Sequence, residues 1–324
     1  MNVLVNGIGN IGQTVLAFLI KHKALLEIDT IYAFKNTPKA FDTFSVWEQQ
    51  GVKFFFNKDK VPFAAVEFVF DCTASGYSIQ NKQWYASFPN LKGANAQGTE
   101  HQFGNSIMLG LNNNLMANYK YQHVVSCNTH GILSLLKYYS KDLENIESAD
   151  FVVIRRSEDI GNHDRLVSAN VVARHRDPVL GTHHAEDANC LLKSMGLHIP
   201  LFSSDVTTPS QLMHSVRFYI TLKKEADTGY PYAGITPIFD SNKIFEMGRR
   251  HGFQGRIFNQ AIIVNNNVLN HDTTVKGWAF IPQEGNTVLT TIAGFLFRTQ
   301  AFAKALKTID LIAKESLLFI PANT

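Results

Sequence analysis

The sequence predicts an α/β chain in two parts, an N-terminal doubly wound parallel sheet of the Rossmann type and an α+β domain with a mixed or antiparallel sheet. Three observations lead there. A strand, a glycine-punctuated turn and a helix open the sequence; short apolar runs alternate with helix-like or turn-rich stretches up to about residue 126; longer β-like segments follow.

Val3 to Val5 is the first strand, and the helix after the turn places Ile11, Val15, Phe18 and Leu19 at i, i+4, i+7 and i+8. Ile28 to Phe34 follows within one βαβ length, which makes this the opening unit of a doubly wound sheet. Val52 to Phe56, Val66 to Phe70, Ile107 to Leu109 and His123 to Val125 read as further short strands. Beyond Cys127 comes a helical pattern, Ile132 to Tyr139, and then the β-like segments Phe151 to Ile154, Ser215 to Leu222 and Gln260 to Val268. The expected division is 1–126 and 127–285, and an apolar helical stretch from about Asn286 to Leu318 has either domain to pack on.

At 324 residues the chain has room for two cores. Hydrophobic residues make up 45% and charged residues 18%, a globular profile, and the net charge of +3 is spread without a basic block, so neither nucleic acid nor an anionic membrane surface is indicated as partner. Cys72, Cys127 and Cys190 form no disulfide framework and no C-x-x-C pair, which fits a reducing compartment. With no signal-peptide pattern and no apolar run of membrane-spanning length, a cytosolic location is expected.

Gly7-Ile8-Gly9-Asn10-Ile11-Gly12 is G-x-G-x-x-G between strand and helix. The first glycine allows the tight turn, the second lets a pyrophosphate approach the backbone, and the third lets helix and strand pack closely, while the helix N-terminus offers unpaired N–H groups to phosphate. An NAD-selective site usually carries a carboxylate about 20 residues on, at the end of the second strand. Here the run is Ala33-Phe34-Lys35-Asn36-Thr37, so acceptance of NADP is expected, with Lys35 pairing the 2′-phosphate; a solvated surface lysine is the alternative.

Cys127, in Ser126-Cys127-Asn128-Thr129, lies between a strand and a helix. A helix N-terminus at the carboxyl end of a sheet lowers a thiol's pKa from about 8.5 and exposes its sulfur where such sheets bind ligands. Cys72 and Cys190 fit the buried, structural type better. His214 is available as a base, although alone it reads equally as a hydrogen-bonded histidine of the fold. His183-His184 lacks a third spaced ligand, which makes a poor zinc site, so no metal is expected and both read as polar contacts to substrate. Arg155-Arg156 ends an apolar strand and suits an anionic group, or is simply an exposed pair.

The ordered set Asn6 to Gly12, Lys35 to Pro38, Ser126-Cys127-Asn128-Thr129-His130-Gly131, Arg155-Arg156, His183 to Asp187, Leu212-Met213-His214 and Gln283-Glu284 resembles the archaeal-type (class II) phosphorylating glyceraldehyde-3-phosphate dehydrogenases. The resemblance implies Cys127 as nucleophile and His214 as general base. It implies Ser126, Asn128, His183 and His184 around a phosphorylated aldehyde, and Asn10, Ile11, Gly98, Arg156 and Gln283 on NAD or NADP. Inorganic phosphate as co-substrate, return of the C-terminal helices to the nucleotide domain, and a homotetramer are implied as well. The sequence departs from the pattern at Gln13-Thr14, where basic residues are common, at Val216, often a second histidine, and at Arg155-Arg156-Ser157-Glu158-Asp159, which sets a carboxylate near the anion site. A semialdehyde or acyl-phosphate reductase, and a nucleotide-binding homologue without catalysis, remain as alternatives.

Overall fold

Strand β1 (Asn2–Asn6) is the axis of the first sheet, and its residues Val3, Leu4 and Val5 have no exposed surface. The computed structural model describes residues 1–37, 44–98, 100, 102–157, 170–209, 214–225, 263–264, 269–271, 273–281 and 285–317. Two compact units divide the chain, Met1–Val124 with Thr290–Leu311, and Val125–Leu289 with Ile312–Thr324. The sequence expectations at Pro38, Glu158, Asp159, Leu212-Met213, Gln283 and Glu284, and most of Gln260 to Val268, fall outside the described residues.

In the first unit β1 is followed by α1 (Asn10–Lys21), β2 (Thr30–Phe34), α2 (Phe44–Gln49), β3 (Val52–Phe55), β4 (Phe68–Asp71), α3 (Ser78–Ala86), β5 (Gly93–Gln97), β6 (Asn105–Ile107), α4 (Asn113–Met116) and β7 (Tyr121–Val124). The strands form one sheet in the order β3-β2-β1-β4-β5-β7-β6, with every pairing parallel, so the sheet is Rossmann-like. The order reverses between β1 and β4, where doubly wound sheets open a crevice at their carboxyl ends.

The sequence reading misses β5, because Gly93-Ala94-Asn95-Ala96-Gln97 is not an apolar run. The strand is nevertheless wholly buried. Two of its polar side chains donate within the unit, Asn95 Nδ2 to the Thr291 carbonyl at 2.8 Å and the Gln97 amide to the Thr291 hydroxyl, while Asn95 Oδ1 and Gln97 Oε1 are buried without a partner.

The second unit contains α5 (Cys127–Tyr139), β8 (Ile146–Arg156), β9 (Val171–Val172), α6 (His183–Ser194), β10 (Leu201–Thr208), β11 (His214–Leu222), β12 (Ile263–Val264), β13 (Leu269–His271) and β14 (Thr274–Ile281). The sheet order is β12-β14-β11-β8-β10-β9, with β13 also on β14; β8 and β10 run parallel and the other pairs are antiparallel, so the sheet is mixed. Strand β11 alternates, burying His214, Val216, Phe218, Ile220 and Leu222, and β10 buries Leu201, Ser203 and Asp205 in the same period of two. Gly131 lets α5 lie directly against Ile281 of β14.

Helices Gly285–Thr299 and Phe302–Leu317 end the described chain. Among the described residues no helix is long and apolar enough to cross a membrane.

Candidate active site

The glycine turn is built as its sequence requires. Gly7 takes φ +90°, and a Cβ there would stand 2.7 Å from the Cys72 carbonyl oxygen, so both conformation and space exclude a side chain. A Cβ on Gly12 would overlap the Gly7 carbonyl. Gly9, the N-cap of α1, differs: a Cβ there would meet nothing within 4 Å. The open backbone at Gly9 and the unpaired N–H groups of α1 fit a pyrophosphate, which is the test that a dinucleotide must pass here. Ile11 is half-buried in the first turn of α1, and Lys35, beyond β2, turns its ammonium toward the Ile8 carbonyl at 3.5 Å. Gly98 follows the end of β5.

The second unit gathers the remaining described candidates. Ser126 caps α5, its hydroxyl accepting from the Thr129 N–H at 3.3 Å, so Cys127 is the first helical residue, where backbone N–H groups lack helical partners. Cys127 is half-buried and Asn128 is buried, with no hydrogen-bond partner for Asn128 Oδ1. Cys72 is buried, as expected. Cys190 is exposed instead, because it lies on the solvent side of α6, a helix whose polar opening the sequence reading did not recognise.

Helix α6 starts against β10: the Ser203 hydroxyl accepts from the Ala185 N–H at 3.1 Å and bonds the Thr182 hydroxyl at 2.7 Å. That anchor fixes His184 over Asp205, two residues beyond Ser203 on the same face of β10. His184 Nε2 is 3.5 Å from Asp205 Oδ2, and Arg155 of β8 approaches the same oxygen at 3.6 Å. The rings of His183 and His184 lie 3.9 Å apart, and the Thr129 hydroxyl of α5 donates to the His184 carbonyl at 3.5 Å, tying the heads of the two helices together.

His214 opens β11 and is buried, with its Nε2 3.0 Å from a guanidinium nitrogen of Arg156. Nδ1 faces a second donor of the same residue, the Arg156 backbone N–H at 3.3 Å, so donors stand at both ring nitrogens and the neutral ring accepts on one of them. Burial, then the charges of Arg156 and Arg155, hold His214 well below the usual histidine range, so it is neutral at pH 7. Burial also lowers His184, and pushes His183 to about 3 with help from His184 and Arg155. For Asp205 burial acts upward, but His184 and Arg155 outweigh it and the carboxyl titrates below its ordinary value.

The structure thus brings Ser126, Cys127, Asn128, Arg155, Arg156, His183, His184 and His214 into one unit, on the heads of α5, α6 and β11 and the end of β8. Asp205 joins them unannounced by the sequence. Its only signal is a buried-register position in Leu201-Phe202-Ser203-Ser204-Asp205, a strand whose two faces have similar composition.

No protein-family model matches the chain. It is 26% identical over 250 residues to the glyceraldehyde-3-phosphate dehydrogenase of Saccharolobus islandicus (strain M.14.25 / Kamchatka #1), covering 70% of this chain and 68% of that protein. Similar relationships hold with the proteins of that name from Saccharolobus solfataricus, 25% over 246 residues, and Methanobacterium formicicum, 24% over 244. Over about two thirds of its length, the chain is a distant relative of proteins named glyceraldehyde-3-phosphate dehydrogenase.

Proposed function

We propose that the chain is an NAD(P)-dependent, phosphorylating glyceraldehyde-3-phosphate dehydrogenase of the archaeal (class II) type. The observation that carries this reading is a half-buried thiol on the first residue of α5 within the same unit as a buried, neutral histidine at the head of β11. The distant relatives named glyceraldehyde-3-phosphate dehydrogenase support its coarser part, a dehydrogenase of that kind.

In this reading the Cys127 thiol adds to the aldehyde carbon, its sulfur forming the carbon–sulfur bond and its proton passing to the aldehyde oxygen, which leaves a hydroxyl on the adduct. His214 takes the hydroxyl proton on Nε2 as that carbon is oxidised to the thioester. Because Nε2 faces Arg156, His214 acts as base once the guanidinium turns to an anionic group of substrate or cofactor. A phosphate oxygen then attacks the thioester carbon, the thiolate leaves, and an acyl phosphate is released. Bound NAD(P) supplies the hydride acceptor. Gly7, Gly9, Asn10, Ile11, Gly12, Gly98, Arg156 and Gln283 would hold it, with Lys35 favouring a 2′-phosphate. Ser126, Asn128, Arg155, His183 and His184 would meet the phosphorylated aldehyde and the incoming phosphate. A cytosolic homotetramer belongs to the same reading.

The test is purified protein with glyceraldehyde 3-phosphate and NAD or NADP, with and without phosphate or arsenate, followed by absorbance of the reduced cofactor. Turnover that depends on phosphate or arsenate, and that disappears in single turnover with Cys127→Ser, is expected. Near wild-type hydride transfer by Cys127→Ser would overturn the nucleophile, and turnover of a semialdehyde panel in place of glyceraldehyde 3-phosphate would overturn the substrate.

A further inference from the structure

His183 and His184 face a third group that adjacent histidines alone do not supply. We propose that His183, His184 and Asp205 form a binding site for a divalent transition-metal ion of the Zn²⁺ type, with two imidazole nitrogens and one carboxylate oxygen as ligands.

The geometry comes first. One ligand atom from each residue lies within 4.8 Å of the others. His184 Nε2 and Asp205 Oδ2, at 3.5 Å, are too long and too poorly aligned for a good hydrogen bond. That separation is close to the roughly 3.3 Å between two ligands on a tetrahedral ion with bonds of about 2.0–2.1 Å.

Unmet valence is the second argument. His184 is 1% exposed and Asp205 3%, yet neither ring nitrogen of His184 nor Oδ1 of Asp205 has a hydrogen-bond partner. Buried polar groups left this way destabilise a fold, so one that retains them together has a use for their lone pairs. The anchor of α6 on Ser203 fixes the pair in place, since Ser203 and Asp205 are neighbours on one face of β10.

Ligand chemistry selects the ion. Two imidazoles and a carboxylate suit Zn²⁺ or Co²⁺, whereas Ca²⁺ and Mg²⁺ take oxygen ligands. Arg155 opposes a cation while it pairs with Asp205, but its side chain is 37% exposed, so it has solvent to turn into when an ion takes the carboxylate. With three protein ligands the fourth position falls to water or to an anion, which the guanidinium would favour. The proposal stands apart from the dehydrogenase reading, although an ion here would compete with a substrate at His183 and His184.

The full-length protein, freed of metal with a chelator, is titrated with Co²⁺ alone. Visible absorption of four-coordinate cobalt, saturating at one equivalent and without sulfur-to-cobalt charge transfer, is expected. Asp205→Asn should weaken binding at least about tenfold. His183→Ala should do the same at a half-buried position, so the test survives if the buried substitution misfolds. Zn²⁺ should raise the melting temperature of the wild type and not that of either variant. A spectrum of fully hydrated cobalt, binding unchanged in both variants, or a charge-transfer band that Cys127→Ser abolishes would overturn the site.

Discussion

Asp71, which ends β4 in the first unit, and Asp205, within β10 of the second, are both buried strand carboxylates, and they are treated in opposite ways. Asp71 accepts from the Thr73 N–H at 3.0 Å, the Thr73 hydroxyl at 2.5 Å, Asn81 Nδ2 at 3.1 Å and the Tyr85 hydroxyl at 2.7 Å. Its donors are all neutral, so burial wins and its pKa rises. Asp205 has two loose cationic or imidazole neighbours and an oxygen without a partner, and its pKa falls. A carboxylate saturated by neutral donors holds a loop in place. One left open beside charge and imidazole is poised to bind something else.

The sharpest test of that contrast is a pair of near-isosteric changes. Tyr85→Phe removes a fully buried hydroxyl that also accepts from Asn6 Nδ2 at 2.5 Å, so Asp71 and Asn6 each lose a bond with no water to replace it. A loss of about 2–4 kcal/mol is expected by urea unfolding, while Asp205→Asn should cost about 1 kcal/mol or less because it breaks no well-formed bond. Equal losses, or the reverse order, would show that the two carboxylates are structural alike.

A smaller, pH-dependent effect is expected at Asp187 on α6, which burial and then the nearby Glu186 charge push up to about 8. The folded state then keeps a proton that the unfolded chain releases above about 4. Between those values the unfolded state binds fewer protons, so stability falls as pH rises, by at most about 1.4 kcal/mol per pH unit. Asp187→Asn mimics the protonated acid and should flatten this slope, gaining on the wild type from pH 5 to pH 8. Parallel stability curves across that range would mean that Asp187 is ionised in the fold.

The same contrast explains what could be read in the sequence. Parallel strands covered on both faces are apolar runs, so β1, β2, β3 and β4 were legible, as were the glycine turn and α1. Strand β5 was not, because Asn95 and Gln97 break the apolar run and their buried amides donate to Thr291, 196 and 194 residues away in sequence. In the second unit Cys127 and Ser126 announced a helix start, but α6 begins with His183-His184 and hides its apolar face further along, at Ala185, Ala188, Leu191 and Leu192. Asp205 was beyond reach. Its partnership with His184 depends on strand register and on the Ser203 anchor, neither of which leaves a local pattern.

The smallest effect on stability, and the one that separates structure from binding within the first unit, is expected at Gly9. Its φ of −92° and ψ of −159° are open to any residue, and a Cβ there meets nothing within 4 Å. Gly9→Ala should therefore leave stability within about 0.5 kcal/mol of the wild type, where Gly12→Ala would collide with the Gly7 carbonyl. If the space over Gly9 is kept for a pyrophosphate, the added methyl should weaken binding of NAD or NADP at least about tenfold, a cost of about 1.4 kcal/mol, as read by fluorescence titration. An alanine variant as stable as the wild type that binds both dinucleotides equally well would remove the nucleotide from this turn, leaving Gly9 as an open position in a loop shaped by Gly7 and Gly12.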